Sequence, residues 1–97
     1  MKFTKDADIN GTSLKGYVIT DYATLVEVFG QPDERNGDKT TVAWFLQFED
    51  GTIATIYDWK TYETPFGRYD WHVGGKSHLA VSHVHDAIAT HKEKTYA

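Results

Sequence analysis

Five histidines, three serines and several neighbouring carboxylates are the residues of this chain that could do chemistry. His78, His83, His85 and His91 fall on or near a predicted C-terminal helix, and His72 in the strand before it. Helical metal ligands must share a face, three or four residues apart. Here only His78 and His85 share one, and they lie about 10 Å apart along the axis. No metal site and no cofactor is expected. Ser13, Ser77 and Ser82 lie outside any nucleophile-elbow pattern. Ser82 and His83 are adjacent in sequence and so do not face each other on a helix. The pairs Glu49–Asp50 and Asp58–Asp70 could meet across strands, but nothing in the sequence sets their separation. The expectation is a protein that is not an enzyme.

Two constellations point to binding instead. In Trp71–His78 (WHVGGKSH) a strand meets two glycines and then a helix start at Ser77. Glycine lets a ligand approach the backbone, and a helix start offers free N–H groups to an anion. Lys76, Ser77 and His78 add donors. The alternative is that Gly74-Gly75 is only a tight strand-to-helix turn. The first glycine of a P-loop is missing. The second constellation is Trp44, Tyr57, Trp59, Tyr62, Tyr69 and Trp71, with Lys60 and Arg68 interleaved. Such rings stack on bases, serve equally in protein interfaces, or simply fill a core. The candidate ligand residues are therefore Trp44, Tyr57, Trp59, Arg68, Trp71, His72, Gly74, Gly75, Lys76, Ser77 and His78, with no catalytic residue among them.

The elements that must position these residues can be read from periodicity. Residues 1–13 are polar, a possible edge strand or extended arm, with Asn10-Gly11 as a turn. Leu14–Thr20 reads as a strand. Thr20 or Asp21 caps a helix whose stripe is Tyr22, Leu25, Val26 and Phe29, ended by Gly30 and Pro32. Asp33–Asp38 reads as a charged loop. Thr41–Glu49 and Thr52–Trp59 read as a hairpin around Asp50-Gly51, a turn that demands positive φ. Both of its faces carry apolar residues, which predicts a helix on each face, or a helix on one and a partner chain on the other. Tyr69–Val73 is a further strand. A last helix runs from Ser77 to about His91 with Ala80, Val81, Val84, Ala87 and Ile88 buried, followed by a frayed tail over 92–97. The expected fold is α+β, a single domain with an antiparallel sheet of three to five strands and two helices.

Composition sets the outer limits. Ninety-seven residues, 40% hydrophobic and 25% charged, make one globular domain. Ten Lys plus Arg against fourteen Asp plus Glu give a net charge of −4, which argues against duplex nucleic acid as a partner. The absence of cysteine excludes disulfides and thiol chemistry. No apolar run approaches a membrane span and the first ten residues lack a signal-peptide core, so no membrane partner is expected. Aromatic residues reach 14%.

The series Phe29-Gly30-Gln31-Pro32, Trp44, Asp50-Gly51-Thr52-Ile53-Ala54-Thr55-Ile56-Tyr57-Asp58-Trp59-Lys60 and Trp71-His72-Val73-Gly74-Gly75 resembles small proteins encoded in bacteriophage genomes. The likeness runs from about residue 14 to about residue 90. It implies a phage origin, action in the cytoplasm of the infected host, and a role against host defence. It carries over no catalytic position. Together with the two constellations it leads to the expectation of a phage accessory protein that binds and sequesters a nucleotide-type immune signal as a homo-oligomer. The alternative is an inhibitor of a host defence protein complex, such as an anti-CRISPR protein, with Asp33, Glu34, Asp38, Glu49 and Asp50 filling a basic groove.

Overall fold

A computed structural model describes residues 1–96. The element order is β1 (Phe3–Thr4), β2 (Ser13–Thr20), α1 (Tyr22–Phe29), β3 (Glu34–Arg35), β4 (Val42–Phe48), β5 (Ile53–Tyr57), β6 (Tyr69–Gly75) and α2 (Leu79–Tyr96). All pairings are antiparallel, in the order β1-β4-β5-β6-β2, with β3 lying beside β1 on the outer side of β4.

The sheet has six strands, which corrects the expected three to five. The extra strand lies in the segment expected to be a charged loop. Glu34 and Arg35 pair with Ala43 and Val42, and the turn between them uses Asn36 at φ 57°. Asn36 N–H also donates to the Thr41 carbonyl at 2.8 Å. Charge does not oppose an edge strand, because both faces of such a short ribbon stay solvated.

The hairpin forms where Asp50-Gly51 predicts it. Gly51 takes φ 89°, and Asp50 Oδ1 accepts from Thr52 N–H at 3.0 Å. Asp21 caps α1 through Thr24 N–H at 2.8 Å, and hydrogen bonding from Thr24 holds its carboxyl below the ordinary value. Gly30 closes that helix at φ 83°. Helix α2 continues past His91 through Tyr96. The last residue of the expected tail, Ala97, lies outside the described residues.

Both helices lie on one face of the sheet, which corrects the expectation of a helix on each face. Leu25 and Phe29 of α1 and Ala80, Val84 and Ile88 of α2 share one core with Val18, Trp44, Leu46, Phe48, Ile56, Trp71 and Val73. The opposite face, built from Leu14, Tyr17, Ile19, Ala43, Phe45, Thr55, Tyr57, His72 and Gly74, carries no helix. Strand alternation makes this division a matter of parity: neighbours in a strand face opposite ways. Among the described residues no helix is long and apolar enough to cross a membrane.

Three histidines of α2 tie it to other elements. His83 Nε2 reaches Asp50 Oδ2 at 2.7 Å, His85 Nε2 the Tyr17 carbonyl at 2.9 Å, and His91 Nε2 Glu27 Oε2 at 3.0 Å. Hydrogen bonds from the His83 ring and from Thr52 hold Asp50 down from 3.8 to about 2. A carboxyl depressed in the folded state contributes stability above its unfolded pKa and loses it as pH falls through the folded value. Chemical denaturation at stepped pH is therefore expected to show stability falling between pH 3.8 and about 2. Asp50→Asn should flatten that part of the profile.

Candidate functional site

The open face has two parts joined at Tyr57: a tile of aromatic rings and a groove. In the tile, His72 lies 5.4 Å from Tyr57 and 6.3 Å from Trp59, the rings tilted by only 33° and 39°. Tyr17 meets His72 edge-on at 5.0 Å, and Trp59 meets Tyr57 edge-on at 6.2 Å. Register explains the grouping, because Tyr17, His72 and Tyr57 are successive cross-strand partners on β2, β6 and β5. Trp59 is 42% exposed. His72 Nδ1 is the one buried side-chain nitrogen or oxygen without a hydrogen bond among the described residues. Burial, with Tyr17 adding to it, pushes the Tyr57 phenol up, so it stays a neutral donor at physiological pH.

Two lysines lie beside the exposed indole. Lys39 Nζ lies 5.7 Å and Lys60 Nζ 5.9 Å from the Trp59 ring centre. Both line a cavity of about 490 Å³ formed by the loops after β3 and after β5. Asp38 also lines it, leaving two ammonium groups against one carboxylate.

A buried carboxylate holds these loops. Asp58 is fully buried. Its Oδ1 accepts from Thr41 N–H at 2.7 Å and Val42 N–H at 3.3 Å. Its Oδ2 accepts from Thr41 Oγ1 at 2.6 Å and from Thr61 Oγ1. The Thr41 hydroxyl has spent its one proton on Asp58, so at 2.7 Å Thr64 donates to it. Lys60 N–H donates to the Lys39 carbonyl at 2.8 Å, and Lys60 takes φ 55° to do so. The two lysine-bearing loops are thus clipped backbone to backbone.

The sequence-derived site residues separate into four places. Tyr57, Trp59, His72 and Gly74 belong to the open face. Trp44 and Trp71 are fully buried on the other face, edge to face at 5.6 Å. Their indole N–H groups donate to the Gly30 carbonyl at 2.8 Å and the Thr20 carbonyl at 3.1 Å. Arg68 is exposed in the loop between β5 and β6. Gly74 and Gly75 are strand residues rather than the turn, which is formed by Lys76, Ser77 and His78.

The glycines answer to close packing. A Cβ on Gly75 would sit 2.5 Å from Ala80 Cβ, and one on Gly74 would sit 2.5 Å from Thr55 Oγ1. Ser77 Oγ accepts from Leu79 N–H at 3.3 Å, so it caps α2. Since α2 covers the core face, the Lys76–His78 turn lies apart from the ring tile. Neither the lysine cavity nor the groove includes any of its residues.

Sequence reasoning leaves Lys39 and Asp58 unassigned. The signal for Asp58 is its spacing from Thr61, an aspartate followed three residues later by a hydroxyl that can bond back to it. Lys39 carries no local signal, because a long-range backbone contact places it. Among the described residues no group of histidines, aspartates and glutamates could hold a metal ion. No family model, curated protein or solved structure matches the chain.

Burial predicts how the tryptophans divide. Trp71→Ala should lower unfolding free energy by about 3–5 kcal/mol, and Trp59→Ala, at a half-exposed ring, by about 1–2 kcal/mol. Asp58→Ala strands two buried N–H groups and two hydroxyls, and should cost about 3 kcal/mol or more. Urea unfolding of the three variants checks all three values.

Proposed function

We propose that this chain is a non-enzymatic binding protein whose open sheet face takes up a nucleotide-type ligand. A base lies on the aromatic surface centred on Tyr57, and phosphate is held by Lys39 and Lys60. The observation that carries the reading is the pair of lysines 5.7 and 5.9 Å from the centre of the exposed Trp59 ring, beside the tile. Stacking contributes about 1–3 kcal/mol per base, and an ammonium pair supplies the counter-charge for phosphate. This moves the anion seat away from Gly74–His78, whose glycines are occupied by packing. With the resemblance to small phage proteins, the proposed role is sequestration of a nucleotide-type immune signal in the cytoplasm of the infected host. Uptake without turnover suits that role.

A second reading keeps the same face for a host protein. Leu14, Tyr17 and Ile19 are each about half exposed on β2, whose outer edge is unpaired among the described residues. Such a strand can accept a partner strand. A stoichiometric complex with a defence protein that survives nucleotide addition would favour it.

Titration with mononucleotides and cyclic dinucleotides, followed by Trp fluorescence and calorimetry, tests the nucleotide reading. Quenching of Trp59 emission is expected, with the ligand recovered intact. Lys39→Glu with Lys60→Glu should raise Kd more than tenfold, on the order of the loss of one charge-assisted contact. Lys76→Glu should leave Kd unchanged. Absence of heat and of quenching with every nucleotide would remove the proposal.

A further inference from the structure

The groove on the other side of Tyr57 is shaped for one ring system. Its floor is Ala43, Phe45, Thr55 and Gly74, and its volume is about 250 Å³. That lies below the range of sites that enclose a drug-sized ligand, so it holds a single base rather than a dinucleotide. Gly74 keeps the floor flat, since a Cβ there would meet Thr55 Oγ1 and stand 3.5 Å from Tyr57 Cε1.

Among the described residues Glu34 is the only charged one lining this groove. Its strand pairing with Ala43 sets it over the sheet edge. The bare Cα of Gly37 admits it, since a Cβ on Gly37 would lie 2.8 Å from both Glu34 Oε1 and Thr40 Oγ1. Arg35, its neighbour in β3, turns the other way to Gln31 Oε1 at 2.9 Å and Tyr22. Among the described residues no donor or cation engages the Glu34 carboxylate. It therefore stands exposed at the rim of the groove, beside Gly37, with its lone pairs available.

We infer that this groove selects the base: Glu34 accepts from two adjacent N–H donors on the edge of a planar ring, so a guanine-type base is preferred to an adenine-type one. The inference rests on the nucleotide reading above and places the base on the groove side of Tyr57 rather than on the ring tile. Guanine offers a ring N–H and an amino group side by side, which match the two oxygens of a carboxylate. Adenine sets an acceptor nitrogen beside its amino group, and a carboxylate, which only accepts, repels it. Thr40 lines both the groove and the lysine cavity. The lysine cavity therefore adjoins the groove that would hold the base.

Calorimetric titration of the full chain with GMP, IMP and AMP tests the inference, with thermal melting to confirm that each variant folds. GMP should bind about tenfold or more tightly than AMP, with IMP, which lacks the amino group, between them. Glu34→Gln both donates and accepts, and should bring GMP and AMP within about threefold of each other while the melting temperature holds. Equal binding of GMP and AMP to the unaltered chain, with both weakened by Lys39→Glu, would overturn the base preference and leave the nucleotide reading standing. A guanine preference that survives Glu34→Gln would overturn the role of Glu34. No binding of any of the three, nor of a cyclic dinucleotide, would overturn both readings.

Discussion

The buried carboxylate of Asp58 is the interaction on which the proposed site depends. A charge fully removed from water is costly, and no cation pairs with Asp58 among the described residues. Four donors offset that cost, two from the backbone at the start of β4 and two threonine hydroxyls. The backbone donors, Thr41 and Val42, sit at the entry to β4, so the carboxylate ties the end of β5 to the start of β4. Trp59 and Lys60 follow immediately, and Lys39 precedes the same β4 entry by two residues before Thr41. One polar knot therefore sets both lysines and the indole beside them.

The same principle, one fixed contact deciding the placement of many groups, governs the far end of the sheet. Gly75 lets Ala80 approach β6, and Gly16 lets Val81 approach β2, where a Cβ would lie 2.9 Å from Val81 Cγ2. The small residues draw α2 close over the core face. With α1 lodged beside it, one face of the sheet receives all the helical cover. The opposite face is left with Tyr17, Tyr57, His72 and Trp59 and no helix to bury them.

That asymmetry explains what could be read from the sequence. The hairpin at Asp50-Gly51, the Asp21 cap and the buried stripes of both helices are legible, because each rests on local chemistry within a few residues. The number of strands is not, since β3 is a two-residue pairing with β4 inside a segment that reads as a charged loop. The distribution of helices is not legible either. Val42, Trp44, Leu46 and Phe48 alternate with Ala43 and Phe45, so both faces read as apolar, and periodicity cannot say which receives a helix. The candidate site is half legible for the same reason. Tyr57, Trp59, His72 and Gly74 fall together on the open face, whereas Trp44 and Trp71, in equally β-rich runs, fall on the covered one.

The aromatic excess of this chain thus serves two ends. Trp44 and Trp71 meet in the core, and each N–H satisfies the carbonyl at one end of α1, Thr20 before it and Gly30 after it. They place the helix while filling the space beneath it. Trp59 and Tyr57 make no such bond to the helical layer. Trp59 N–H from the backbone reaches the Tyr69 hydroxyl at 3.3 Å, and its indole faces solvent beside two ammonium groups. Trp59 packs one side on Tyr57 and His72, yet leaves 42% of its surface exposed beside positive charge in a chain of net charge −4. This arrangement sets two ammonium groups beside one aromatic surface on an otherwise acidic protein, and the proposed nucleotide site is built on that juxtaposition.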